Sequence, residues 1–548
     1  MLVLPTLLLV IVATYVVGVY YVGQSAIASV PLFSIISIGR VTAVYFISLA
    51  VGLAFGILAA TSETAEHILV PLFDIGQSVP ILGYFPVVLT FLIVIFPGGV
   101  GNQVGALFLL FTAMEWDIFF GVVGAVKAIP ASVEEAAKGY GFSGTNYLRY
   151  VVLPAVLPAL LSSSILAWND GWTFDAAAEF VTFANSAGQQ IQYTVTGLGY
   201  FITSAANSGN LAASWFGVLV MGEVIFFSNQ LIWHTLQTRV AKHKPVLANV
   251  IREDFQSPLG LRRRFRRLFG FRLRQAQQSV RLSLQISTKA LALFFVVTLA
   301  IIGVVIYANL PIGAAKGLAS ALTAKGGQVY NVPLYSLFTV GRLLIAYSTC
   351  VAISLVCAVL AVTKKNFNRY FYPIYDLGRS VPYLAVFLPM FVTFQGLMPV
   401  AIAQEMASLI LLFLAMVWYL LFNVVTAARN LPNELLEVST IFGVTGRKRV
   451  TDIILPAVLP AFITGSLLAW GGGWNVVIYS EYVQLQGHAA PYVLPGLGYL
   501  LDNAASVLGD IPLVIFFLFI MSGIVILLER VVWRRLLRRV ERFGVEFN

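Results

Sequence analysis

The sequence predicts an all-α integral membrane protein of about 12 transmembrane helices, built as two homologous six-helix halves. Composition is the first observation behind this. The 548 residues are 59% hydrophobic and 11% charged, with a mean hydropathy of +0.88, whereas about a quarter of a soluble chain is charged. The second is the recurrence of apolar stretches of about 20 residues, each long enough to cross a hydrocarbon core of roughly 30 Å as a helix; the alternating segments of about ten residues that build a membrane barrel do not occur. The third is an internal repeat. Gly39-Arg40 matches Gly341-Arg342, Asp74 matches Asp376, Ser78-Val79-Pro80 matches Ser380-Val381-Pro382, and Trp168, Trp172 and Glu179 match Trp470, Trp474 and Glu481, each 302 positions on. At GLGY, Gly197 to Tyr200 against Gly496 to Tyr499, the offset drops to 299. The shortening belongs in an external loop, where insertions and deletions are tolerated.

Residues 2–22 form an apolar segment with no clear cleavage-site pattern after it and read as a retained helix. A second helix begins at Ile38-Gly39-Arg40 and runs to about Ala60, and an acidic turn from Glu63 to His67 returns the chain. The third element, Leu69 to Phe96, contains Pro71, Pro80 and Pro86 and is expected to kink or break. Freed backbone groups at membrane depth are tolerated only in protein or beside a cavity, so this element is either a pathway wall or a locally distorted packing helix. A fourth helix spans roughly Asn102 to Val126 and a fifth roughly Val152 to Trp172. The more polar stretch from Asp175 to Asn210 is expected to sit outside, before a sixth helix from about Ala213 to Leu236. A basic linker, 239–288, separates a first half, 1–238, from a second, 289–548. Its RRRFRR run, Arg262 to Arg267, and the tail residues Arg534, Arg535, Arg538, Arg539 and Arg542 flank membrane helices. Such clusters mark the cytoplasmic side and suit anionic lipid rather than nucleic acid. Both termini are then cytoplasmic, and the repeat is parallel about an axis along the membrane normal.

Each half carries one long polar segment: EAAKGYGFSGTNYLRYVVLP from Glu135 to Pro154, and EVSTIFGVTGRKRVTDIILP from Glu437 to Pro456. Glu135, Ala136, Ala137, Gly141, Val151, Leu153 and Pro154 align with Glu437, Val438, Ser439, Gly443, Ile453, Leu455 and Pro456. Pro130 and Pro432 suit a first helical turn, and Ser132 with Glu135 has capping-box spacing. Gly141 and Gly443 are expected to end the helix in the left-handed conformation, with Ser143 or Thr145, and Thr445, capping the next helical turn. The product is a compact surface knob whose small residues let another protein come close.

This pattern resembles the EAA loop of binding-protein-dependent ABC importer permeases, and two copies resemble two permease halves fused in tandem. The resemblance implies a type I ABC importer permease fold in the plasma (cytoplasmic) membrane. It also implies docking of each knob into an ATPase subunit, so that the partners are two ABC ATPase subunits, an extracytoplasmic substrate-binding protein and the lipid bilayer. Trp172 with Glu179, Trp474 with Glu481, GLGY and the Gly-Arg pairs resemble the nitrate, sulfonate, taurine and bicarbonate branch, which implies a small-anion or sulfonate-like solute.

No GxxxxGK[ST] occurs in the chain, so it has no P-loop of its own; ATP and Mg are left to the partner subunits, and no cofactor or enzymatic activity is expected here. His67, His234, His243 and His488 show no metal-ligand spacing. Cys350 and Cys357, seven residues apart in one helix, stand roughly 10 Å apart, beyond disulfide reach. The candidates for the pathway are Pro80, Pro382, Arg379, Trp172, Glu179, Trp474 and Glu481. Each Trp–Glu pair also reads as an interfacial anchor beside a solvated carboxylate. Asp74 and Asp376, present in both halves, read as loop-fixing groups. Glu115 and Asp117 have no acidic counterpart, since Val417 and Tyr419 stand there, and the neighbouring Trp116 suggests an interfacial position. Gln77 opposite Arg379 is a second asymmetry, and an Arg near the pathway favours an anion. The alternative function is a secondary carrier or channel driven by an ion gradient, which has no use for two matched docking loops.

Overall fold

The computed structural model of the chain describes residues 3–97, 99–184, 190–236, 331–364, 366–431, 433–483, 492–508, 510–533 and 535–536. The linker 239–288, the first apolar segment expected in the second half, Pro432 and most of the basic tail lie outside these. Among the described residues eight helices are long and apolar enough to cross a membrane, or up to ten if each of two bent pairs is one span.

The first half runs α1 (Val3–Tyr21), α2 (Val30–Thr61), α3 (Glu63–Ser78), α4 (Ile81–Ile95), α5 (Val100–Lys127), α6 (Ala131–Gly139), α7 (Leu153–Ala178), α8 (Leu198–Asn207) and α9 (Leu211–Ser228). The second repeats it from the second helix on: α10 (Val332–Thr363), α11 (Phe367–Arg379), α12 (Tyr383–Gln395), α13 (Val400–Arg429), α14 (Asn433–Ile441), α15 (Leu455–Glu481), α16 (Leu497–Ser506) and α17 (Ile511–Leu528). In each half the fourth helix of the expected order is the spine, α5 between α2 and α7, and α13 between α10 and α15. Small residues allow that closeness. A Cβ on Gly52 would come within 2.7 Å of Ile118, and one on Gly56 within 2.8 Å of Val122, the small-xxx-small device by which membrane helices approach without a hydrophobic driving force. The helices flanking the spine are tied by the same polar contact in each half: Tyr45 donates to Ser164 at 2.9 Å and Tyr347 to Ser466 at 2.7 Å.

The third element is broken in both halves, by 100° between α3 and α4 and by 81° between α11 and α12. The cause is local. A residue preceding proline is pushed out of the helical region, and Val79 before Pro80 is extended, at φ −85° and ψ 124°. After the break each arm packs on the spine of its own half and also reaches the other half: α4 meets α5 and then α15, α16 and α17, while α12 meets α13 and then α7, α8 and α9. The two halves therefore hold each other through these bridging arms.

The stretch expected to be an outer loop is more ordered than its polarity suggests. The fifth helix continues past Trp172 to Ala178, then an antiparallel hairpin pairs β1 (Phe180–Ala184) with β2 (Gln190–Thr194), and GLGY opens the buried helix α8. The second half has a two-residue pairing instead, β3 (Tyr482–Val483) with β4 (Tyr492–Val493).

Candidate functional site

The knobs form as expected at their C-termini and differently at their N-termini. Helix α6 ends through Tyr140, and Gly141 is left-handed at φ 75°. The Phe142 N–H then reaches the Ala137 carbonyl at 2.9 Å and the Gly141 N–H the Lys138 carbonyl at 3.0 Å, the paired bonds of a Schellman turn. Helix α14 ends identically: Gly443 has φ 67°, with Val444 N–H to the Ser439 carbonyl at 2.8 Å and Gly443 N–H to the Thr440 carbonyl at 3.1 Å. The capping box does not form. Pro130 itself is the N-cap and its carbonyl accepts from Val133 and Glu134, which puts Ser132 inside the first turn, where its side chain cannot cap. Ser143 and Thr445 take N-cap positions without a side-chain bond.

After each knob comes a π-helical turn, Leu148–Val152 and Val450–Ile454. It stands where Leu153-Pro154 and Leu455-Pro456 enter the fifth helix; a proline gives no N–H to the carbonyl four residues back and crowds it, and the turn widens to compensate. At the knobs' tips Tyr140 is 83% and Phe442 77% exposed. Glu135, Ala136 and Glu437 are exposed beside them, Val438 is half-exposed, and Ala137 and Ser439 face inward.

Trp172, Glu179, Trp474 and Glu481 are neither interfacial nor solvated: all four are buried. Glu179 closes a clamp among α2, α7 and α8. Its Oε1 accepts from Arg40 at 2.5 Å and Ser37 at 2.6 Å, and its Oε2 from the N–H groups of Gly199 and Tyr200 at 2.5 and 3.1 Å. Those N–H groups open α8 and have no partner within the helix, so a carboxylate is the group they suit. Glycine is required at the entry, since a Cβ on Gly197 would overlap Glu179 Oε1. Glu481 repeats this with Arg342 at 3.0 Å, Thr339 at 2.8 Å and the Gly498 N–H at 2.8 Å. The three motifs scattered along each half, Gly-Arg, the Glu and GLGY, are one buried knot. Ser37 and Thr339 were missed, though the 302-residue offset pairs them.

Pro80 and Pro382 sit at the breaks, and each break is attended by the fifth helix of the other half. Asn475 Oδ1 accepts the Ile81 N–H at 3.4 Å, and Thr173, its repeat counterpart, hydrogen-bonds Tyr383. Around this crossing Asp117 contacts Asp170, both face Arg379, and Arg379 hydrogen-bonds Tyr375. Arg379 thus stands near two acidic side chains and holds a hydrogen bond to Tyr375. Tyr419 stands near Asp170, Tyr383 and Asp117. Asp117 and Tyr419 are counterparts in the repeat, and a residue near its own counterpart stands near the axis relating the halves. Asp117, Asp170, Arg379, Tyr383 and Tyr419 are all half-buried at this junction of the halves. Trp116 packs within the protein: its indole fills the notch over Gly76, where a Cβ would meet it at 2.5 Å.

Two repeated bundles of membrane-length helices, bridged by the arms of their broken elements and meeting at a polar junction, define a membrane permease. The family model for the binding-protein-dependent transport system inner membrane component matches twice, at residues 52–237 and 350–542, and the chain belongs to that family. Among curated proteins it is 27% identical over 196 residues to a nitrate import permease protein of Leptolyngbya laminosa, covering 36% of this chain and 64% of that one. It is 28% identical over 191 residues to a bicarbonate transport system permease protein of Synechococcus elongatus, covering 35% and 63%. With a taurine transport system permease protein of Escherichia coli it shares 26% over 156 residues, covering 28% and 54%. The chain thus spans somewhat less than two thirds of the length of these relatives.

Proposed function

We propose that this chain is the transmembrane subunit of an ATP-driven importer, with the polar junction of the halves on the translocation pathway and the two knobs receiving two ATPase subunits. The observation that carries this reading is the duplicated knob: one per half, each closed by a left-handed glycine behind an exposed aromatic tip. A mechanical link supports it. Each knob leads directly into a fifth helix, and from Leu153 to Asp170 that helix spans about 25 Å at 1.5 Å per residue. A shift imposed at the knob is carried along a rigid element to the residues that attend the opposite half's break, which is what coupling between two arrangements needs. The knobs, the termini and the linker then face the cytoplasm, and the two hairpins face an extracytoplasmic binding protein. By resemblance to relatives named for nitrate, bicarbonate and taurine, the solute is a small-anion or sulfonate-like molecule.

The purified chain is expected to hydrolyse no ATP and to form a complex of one copy with two ATPase subunits by native mass measurement. Hydrolysis by the chain alone, or two copies of it per complex, contradicts the proposal. Uptake driven by an ion gradient without ATPase subunits favours the carrier alternative.

A further inference from the structure

The two knobs share a frame and differ in what they show a partner. Glu135 with Glu437, left-handed Gly141 with Gly443, and Gly144 with Gly446, at φ 53° and 57°, recur in both. The side chains around that frame do not. In the first knob the cations are engaged within it: Lys138 Nζ pairs with Glu134 at 3.0 Å, and Arg149 lies over the Tyr150 ring, 5.7 Å from its centroid. Tyr150 in turn packs against Phe142, with ring centroids 5.7 Å apart. In the second knob Arg449 is tied down, but Arg447 and Lys448 are exposed and their side chains have no ion-pair or hydrogen-bond partner among the described residues. Their counterparts are the uncharged Thr145 and Asn146. At the tip, Gly139 leaves bare backbone beside Tyr140, where the second knob sets Ile441, 80% exposed, beside Phe442.

These differences bear on the partner. Two copies of one ATPase chain related by a two-fold axis present the same surface twice. A socket closed over the backbone at Gly139 has no room for the Ile441 side chain, because extra methylenes in a filled contact force displacement; a socket roomy enough for Ile441 leaves a void over Gly139. Arg447 and Lys448 are costly to take out of water at a contact unless carboxylates meet them. On the first knob those carboxylates would find only Thr145 and Asn146.

We propose that the two knobs fit two non-identical ATPase sockets: the first an uncharged one that receives aromatic rings and closes over Gly139, the second an acidic one with a pocket for Ile441. This rests on the importer reading and specifies its partner as a pair of unlike ATPase surfaces rather than one surface used twice.

Full-length chain, expressed in its native cells, carries a benzoyl-phenylalanine photo-crosslinker in place of Tyr140 or, separately, of Phe442. Adducts are identified by peptide sequencing as belonging to chains that contain GxxxxGK[ST]. The two positions are expected to capture ATPase peptides of different sequence. Arg447→Glu with Lys448→Glu sets like charge against the second socket and is expected to lose the adduct at the Phe442 position while the one at the Tyr140 position persists. Conversely, Gly139→Ile with Thr145→Arg and Asn146→Lys is expected to bring the second peptide to the Tyr140 position; a Cβ on Gly139 meets nothing within 4 Å, so the knob itself accommodates the exchange. The same peptide captured from both positions, or no redirection by the triple exchange, overturns the inference of unlike sockets and leaves the importer reading standing. No ATPase adduct at either position overturns both.

Discussion

The first and second halves build the same buried clamp with different third partners. In the first, Arg40 adds Asp175 of α7 at 3.0 Å, and both of its carboxylate partners have fully buried side chains. In the second, Val477 stands where Asp175 would, and Arg342 turns to Glu405 of α13 at 2.7 Å, whose side chain is 43% exposed. The guanidinium, the glutamate and the glycine entry are kept, while the second acid moves from core to edge. The geometry of the knot is thus the shared requirement; where the compensating charge comes from is not.

The largest expected difference lies in how the two clamps tolerate loss of their arginine. Removing one partner of a buried ion pair costs about 3–5 kcal/mol because a charge is left uncompensated. Arg40→Ala strands two buried carboxylates, whereas Arg342→Ala strands one and leaves Glu405 near water. Arg40→Ala is therefore expected to lower the thermal unfolding midpoint in detergent clearly more than Arg342→Ala; equal losses would break the comparison.

The knobs supply the next difference. Arg449 fastens the second, reaching the carbonyls of Leu436 and Val444 at 3.4 Å and the Thr440 hydroxyl at 2.5 Å; its counterpart in the first half is Tyr147, which makes no such bonds among the described residues. Holding a non-glycine residue left-handed costs about 1–2 kcal/mol, and a β-branched one resists it most. Gly141→Val is expected to reduce solute-stimulated ATPase activity of the reconstituted complex more than Gly443→Val does. Equal or reversed effects would refute the asymmetry, and no effect at either would refute the coupling role. Arg449→Ala sharpens the contrast: it is expected to leave activity near normal alone and to make Gly443→Val as damaging as Gly141→Val.

The smallest effect should be a matched one. Tyr45→Phe and Tyr347→Phe each remove one hydrogen bond to a serine, worth about 1 kcal/mol, and equal small drops in unfolding midpoint are expected. A large drop in only one half would mean that the shared tie between the second and fifth helices is not equivalent.

Much of this architecture is legible in the sequence. Hydropathy predicts membrane-length helices, the 302-residue offset exposes the two halves, and Gly141 and Gly443 predict left-handed helix ends, because these depend on local sterics and on transfer of side chains out of water. Polarity misleads where groups from distant segments cancel one another. Asp175, Glu179 and GLGY read as an outer stretch because, taken locally, they are polar; buried together with Arg40 and Ser37 they satisfy each other. Trp116 reads as interfacial for the same reason, its partner Gly76 being forty residues away.

The sequence by itself determined the class of protein, the duplication, the proline breaks and the glycine-ended knobs, each a consequence of composition or of a residue acting on its own backbone. Only the tertiary structure decided that the broken arms bridge the halves, that Glu179 and Glu481 are buried in knots with Arg40 and Arg342, and that Asp117, Asp170 and Arg379 come near one another. Those outcomes depend on packing between segments distant in the chain, most of them more than a hundred residues apart, where charge is tolerated only if a partner arrives from elsewhere, and no local pattern specifies which partner that is.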